Sequence, residues 1–247
     1  MRVVKGIIIG CVLVLNTTQA DMLGARVGLD YGQMKPSVTA GNTGQAGALA
    51  LEDSKELTWF GRFEHPLPLL PNIATRYQHL TFSAIAPVGQ SLMLDNAVVP
   101  AGADIEQFNA QKTVDITGYY EVLDNPVLSL DLGLTARLLR TDVRLGTGAT
   151  AVSRDSSVVL PMLFVDAELG LWRTDTHWFL TGNYSQYQSD RNVDWRSGIA
   201  WRFIDIAMFQ AHLRGGWQYS QSSITNRDQL DFYGKNEGAF IGLDVDF

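Results

Sequence analysis

Four histidines carry most of the acid–base chemistry open to this chain. His79 shares one face of an alternating stretch with Thr81 and Ser83, and a histidine beside a hydroxyl is the minimum unit for acyl transfer. His212 shares a polar face with Arg214, where a hydrogen-bonded structural role competes with catalysis. His65 and His177 flank expected turns and read as solvated or interfacial. Spacing supplies no third group to orient any of them. No Gly-x-Ser-x-Gly elbow, His-Glu-x-x-His, Cys-x-x-Cys or phosphate loop occurs, and no compact ligand cluster is visible, so neither a cofactor nor a metal is expected.

A larger constellation is made of charge. Asp115, Glu121, Asp131, Arg137, Asp166, Glu168, Arg196, Arg202, His212, Arg214 and Asp244 all fall on the polar side of period-two stretches. If those sides line a narrow interior, the charges must pair, which gives an interlocked salt-bridge lattice. The same residues could instead line a narrow ion-conducting path. A third feature is apolar: Leu160, Met162 and Phe164 occupy an inward face while Val159, Leu163 and Val165 occupy the opposite one. They suggest a pocket for an acyl chain or another apolar ligand. Pro161 among them is expected to mark a bulge. The connection carrying Leu92, Met93, Leu94, Val98 and Val99 is apolar enough to fold over such a site as a plug.

The elements that would position these residues are strands. Leu128, Leu130, Leu132, Leu134, Ala136 and Leu138 alternate with Ser129, Asp131, Gly133, Thr135 and Arg137. Val193, Trp195, Ile199, Trp201 and Phe203 alternate with Asp194, Arg196, Gly198, Ala200 and Arg202. A helix would spread either pattern around its circumference. About ten such segments follow, near 22–38, 55–66, 72–83, 112–123, 127–141, 157–172, 177–188, 192–203, 208–221 and 237–247. Short connections at 66–71, 123–126, 173–176 and 204–207 alternate with longer ones near 39–54, 84–111, 142–156 and 222–236; only 189–191 breaks the rule. That rhythm predicts an all-β, up-and-down antiparallel transmembrane β-barrel of about ten strands, with eight the next count. Both chain ends then lie at the short-turn rim. A soluble sandwich or lipocalin-like barrel fits less well, because strands of this length suit a tilted membrane crossing. Aromatics near the strand ends, among them Tyr31, Trp59, Trp172, Trp178, Tyr184, Trp195, Trp201, Trp217 and Tyr219, suit interfacial girdles.

Composition agrees. Of 247 residues 46% are hydrophobic and only 18% charged, below the roughly 25% common in soluble domains. A net charge of −7 argues against nucleic acid as a partner, and one cysteine excludes an internal disulfide framework. No run of about 18 apolar residues offers a spanning helix. Residues 1–20 read as a secretory signal peptide: Arg2 and Lys5, then an apolar stretch to Leu15, then Thr18-Gln19-Ala20 before the cut. Cys11 loosely suggests a lipobox, but apolar residues continue past it. Residues 21–247 form the single barrel domain, expected as a monomer in the outer membrane of a Gram-negative bacterium with outer-membrane lipid and lipopolysaccharide as its surroundings.

Two segments carry resemblances. Ala239-Phe240-Ile241-Gly242-Leu243-Asp244-Val245-Asp246-Phe247 alternates to a terminal aromatic and resembles the C-terminal signature of bacterial outer-membrane barrels. That resemblance implies that Phe247 is an assembly signal read by the outer-membrane assembly machinery. Glu64-His65-Pro66-Leu67-Pro68-Leu69-Leu70-Pro71-Asn72, with Gly215-Gly216, resembles an uncharacterised family of small proteobacterial outer-membrane proteins named for a Gly-Gly feature. It implies location and fold, not activity. The leading functional expectation is a non-enzymatic barrel, closed or narrowly conducting, with an envelope-integrity, small-solute or ligand-binding role. One rival is an outer-leaflet lipid-modifying enzyme using His79 or His212 with a neighbouring hydroxyl. Another is a surface receptor or adhesin acting through its long loops.

Overall fold

Alternation becomes geometry in a computed structural model that describes residues 23–42, 47–49, 53–67, 69–87, 92–94, 97–100, 104–147, 150–171, 173–187, 190–227 and 230–247. The expected signal peptide and Trp172 lie outside the described residues. Thirteen strands form among the described residues: β1 Gly24–Asn42, β2 Gly47–Leu49, β3 Ser54–Glu64, β4 Asn72–Pro87, β5 Leu92–Leu94, β6 Ala97–Val99, β7 Asp104–Asp124, β8 Leu128–Thr147, β9 Thr150–Gly170, β10 Thr176–Tyr187, β11 Asp190–Ile206, β12 Phe209–Arg227 and β13 Leu230–Asp246. Ten of them, β1, β3, β4, β7, β8, β9, β10, β11, β12 and β13, pair in that order, and β13 returns to pair with β1. The result is a closed ten-strand, antiparallel, up-and-down barrel. β2 adds briefly to β1, and β5 pairs only with β6.

The faces are inverted relative to a soluble protein. On β8, Asp131, Thr135 and Arg137 are buried while Leu132 and Leu134 are exposed. Leu134 and Leu163 each leave more than 60% of their surface outside the barrel, at 67% and 61%. An apolar surface that wide is tolerable only against lipid, and charge inside is tolerable only if paired.

Short turns gather at one rim, at 65–71, 125–127, 171–175 and 207–208. The His65–Asn72 corner is held by its own histidine. Leu67 N–H donates to His65 Nδ1 at 3.3 Å, leaving Nε2–H to reach the Pro71 carbonyl at 3.1 Å. His65 N–H donates to Asn72 Oδ1 at 3.1 Å, and Tyr120 Oη–H donates to the carbonyl of Leu69, a left-handed residue with φ 75°.

Two expectations need correction at the opposite rim. The stretches 142–156 and 222–236, read as loops, are strand at every described residue. β7 likewise begins at Asp104 instead of near 112. A 21-residue strand is roughly 70 Å long at about 3.3 Å per residue. Even tilted, it exceeds an apolar band of about 25 Å, so the barrel wall continues beyond that band. Pro161 forms no bulge: it stands opposite Ala136 in an unbroken β8–β9 register. On its other side the β9–β10 pairing ends at Leu163, so Pro161 owes no ladder hydrogen bond there and a proline is tolerated. The apolar connection of Leu92–Val99 forms the β5–β6 hairpin; its side chains lie outside the described residues.

Candidate functional site

Because most inward positions among the described residues are polar, charges from distant strands meet in the lumen. The central group joins Arg76 of β4, Asp115 of β7, Arg137 of β8 and Asp194 of β11. Arg76 Nη2 lies 2.7 Å from Asp115 Oδ2 and 2.6 Å from Asp194 Oδ1. Arg137 lies 2.7 Å from Asp115 through Nε and 2.7 Å from Asp194 through Nη2. Each aspartate thus bridges both arginines, and two positive charges meet two negative ones. Since β11 stands across the barrel from β4, β7 and β8, this group spans the lumen. A hydrogen-bond chain braces it, from Thr117 to Thr135 at 2.7 Å, to Asn183 at 2.8 Å and on to Asp194 at 3.3 Å.

Further groups fill the space beside it. Arg196 donates to Asp30 at 2.8 Å, Glu56 at 2.7 Å and Thr58 at 2.6 Å, and Glu56 also accepts from Gln78 and Gln218. Arg214 reaches Asp30 at 3.4 Å and Asp244 at 3.5 Å, with its guanidinium 4.3 Å from the Phe179 ring centroid. Arg62 reaches Asp166 at 3.0 Å and Asp131 at 3.5 Å and stacks on Tyr119. Among them lies a cavity of about 70 Å³, lined in part by Arg62, Arg76, Asp166, Phe164 and Asn183. Its size suits a few hydrogen-bonded waters.

Toward the short-turn rim, Arg26 pairs with Glu168 and Asp246. His212 Nδ1 lies 2.9 Å from Asp244 Oδ2 and 3.7 Å from Asp246 Oδ2. These three side chains are a set that could hold a metal ion. Their carboxylates, however, already face arginines: Arg26 on Asp246 and Arg214 on Asp244. The set's charge is therefore matched without a cation. His177 stacks edge-on against His212 at 5.5 Å and faces Glu168 at 3.7 Å. Among the described residues, His212 pairs with a carboxylate and not with a hydroxyl.

The structure brings together most of the charges read from the sequence: Asp115, Asp131, Arg137, Asp166, Glu168, Arg196, His212, Arg214 and Asp244 all enter the lumen network. Glu121 sits nearer the short-turn rim, where Asn72 donates to it at 3.0 Å. Arg202 is a correction. Next to the β11–β12 register shift, it pairs with Asp175 at 2.8 Å and Asp205 at 3.2 Å, both more than half exposed, and belongs to the rim, not the lattice. Sequence reasoning omits Arg62 and Arg76 as site residues, although Ile73 and Tyr77 alternating with Arg76 and Gln78 signal an inward Arg76. Met162 and Phe164 do point inward and are buried, with Leu160 half-buried. Phe164 packs against Tyr119 at 6.0 Å and under Arg62. His79 faces outward, away from the lumen; the Ser83 side chain lies outside the described residues.

A row of inward residues accounts for the glycine pair. Register aligns Phe179 with Gly198, Gly198 with Gly216, and Gly216 with Phe240. The two phenylalanine rings meet at 6.2 Å over the two glycines between them. A Cβ on Gly216 would lie 2.1 Å from the Ser197 carbonyl oxygen, whereas one on outward Gly215 would lie 3.6 Å from its nearest neighbour.

The sequence matches no family profile and no curated protein. Solved structures are similar in shape. The outer membrane protease OmpT from Escherichia coli aligns with a TM-score of 0.52 at 10% identity, over 91% of this chain and 97% of that one. The translocator domain of the autotransporter NalP from Neisseria meningitidis gives 0.45 at 15% identity, covering 90% and 86%. Ail, the attachment invasion locus protein of Yersinia pestis, gives 0.40 at 8% identity, covering 88% and 98%. At such identities the likeness is one of fold: this chain is a β-barrel built like those of bacterial outer membranes.

Proposed function

We propose that this protein is a non-enzymatic barrel of the Gram-negative outer membrane whose lumen is closed, and that it serves envelope integrity instead of solute passage. The observation that carries this reading is the cross-lumen group Arg76–Asp115–Arg137–Asp194, whose four side chains are at most 11% exposed and mutually paired. About eight strands are just filled by side chains, and open channels need about sixteen, so ten strands carrying this lattice leave no continuous path. The exposed apolar belt and the fold support the membrane location. Gly215-Gly216 and the His65–Asn72 corner support a place in the small proteobacterial family named for its Gly-Gly feature. Phe247, exposed on the outside of the seam, suits recognition by the assembly machinery.

Single-channel recording of the refolded protein in a planar bilayer tests the reading. The wild type is expected to be silent. An Arg137→Ala/Asp194→Ala variant removes one charge of each sign and is expected to give discrete steps. Discrete steps from the folded wild type would overturn the closed-lumen assignment and make the lattice a conducting path.

A further inference from the structure

The outer wall of the barrel carries a row of basic side chains that the lumen does not use. His79 on β4 stands directly opposite Lys112 on β7, and Lys112 directly opposite Arg140 on β8. All three point outward, since their inward neighbours Leu80, Thr113 and Leu139 are buried. Lys112 and Arg140 are exposed and His79 is half-exposed. Three adjacent strands at about 4.8 Å spacing place these groups within roughly 10 Å of one another.

Their position along the strands fixes their surroundings. On the same outward faces, one step toward the short turns, come Tyr77, Val114 and Leu138, then Thr75, Ile116 and Ala136, and beyond them Leu134. The row therefore lies where the apolar belt ends, on the side away from the short turns. Lys55 on β3 also points outward nearby, opposite Thr81.

Like charges directly across a strand pair repel. Lys112 and Arg140 adopt that arrangement, and none of His79, Lys112 and Arg140 has an ion-pair partner among the described residues. An anion between them would turn the repulsion into attraction. With hydrocarbon-facing surface immediately beside the row, that anion must belong to an amphiphile whose chains lie along the belt and whose charged group reaches its edge. We infer that His79, Lys112 and Arg140 form a docking site for the phosphate groups of an outer-leaflet glycolipid of the lipopolysaccharide class. This inference rests on the membrane location proposed above, but not on the closed lumen.

The test uses the full barrel refolded in neutral detergent, with rough lipopolysaccharide as the probe and native mass spectrometry or thermophoresis as the readout. Lys112→Gln/Arg140→Gln removes two cations from the membrane edge and is expected to weaken binding about thirtyfold. Enzymatic dephosphorylation of the probe should weaken binding to the wild type comparably, while millimolar inorganic phosphate should not compete. A control, Arg202→Gln at the opposite rim, should bind as wild type. Unchanged binding by the folded double variant would overturn the site, as would an equal loss in the control, which would mean diffuse charge attraction. Competition by free phosphate would overturn the lipid assignment. Membrane location is tested separately, by fractionation, so its failure is distinguishable from failure of the site.

Discussion

Removing Asp115 is the sharpest probe of the lumen. In Asp115→Leu, Arg76 and Arg137 each lose one of two carboxylate partners, and two guanidinium groups are left sharing Asp194. Breaking one partner out of a buried ion pair costs about 3–5 kcal/mol, because the stranded charge keeps its desolvation penalty. The second substitution, Arg137→Met, makes the argument quantitative. In the double variant Arg76 and Asp194 remain as a balanced pair at 2.6 Å, and leucine and methionine fill the vacated volume. The double should therefore cost only about 0–2 kcal/mol, less than Asp115→Leu alone. Urea unfolding of the refolded barrel in lipid vesicles, followed by tryptophan fluorescence, measures each variant, with stability read from the midpoint at constant slope. The coupling between the two sites should exceed about 2 kcal/mol and persist in high salt, since buried pairs are weakly screened. A loss below about 1 kcal/mol for Asp115→Leu, or additive single losses, would refute the claim that these charges form one balanced unit.

Other perturbations separate the two faces of the wall. Gly216→Ala should destabilise the barrel by about 1–3 kcal/mol or prevent folding, whereas Gly215→Ala should stay within about 0.5 kcal/mol; heat-modifiable migration on gels distinguishes them. Leu134→Arg, at a position 67% exposed, would be innocuous in a soluble protein but should cost about 2–4 kcal/mol in a bilayer. A neutral result there would argue against lipid contact.

The strands of the apolar belt were legible because one face meets lipid and the other meets charge, as Leu132 and Leu134 against Asp131 and Thr135 illustrate. Beyond the belt that contrast disappears. Around Asp104–Gln111 and Asp142–Ser156 polar residues occur at positions of both parities, and strand reads as loop. The lattice was legible as a set of inward charges but not as a set of pairs. Asp115 finds Arg137 across one register step, which a hairpin suggests, yet Asp194 reaches Arg76 only because the sheet closes into a ring. Arg202 had the right parity for the lumen, but parity carries no height, and height puts it among the turns. The glycine pair shows the same limit: only register places Phe179 and Phe240 on either side of Gly198 and Gly216.

Most neighbours in this ring are neighbours in the chain, so most hairpins need nothing beyond their own turn. The seam is different. Ala25 and Phe247 exchange backbone hydrogen bonds at 3.4 and 2.8 Å, and Arg26 pairs with Asp246, 220 positions away. Until those residues meet, β1 and β13 are two bare edges, ready to pair with any other strand. The charged interior, meanwhile, has neither its cross-lumen partners nor exclusion from water. Ring closure is therefore the step with the greatest loop-closure cost and the one that abolishes the exposed edges. A chain stalled before it would be a sheet with two sticky margins.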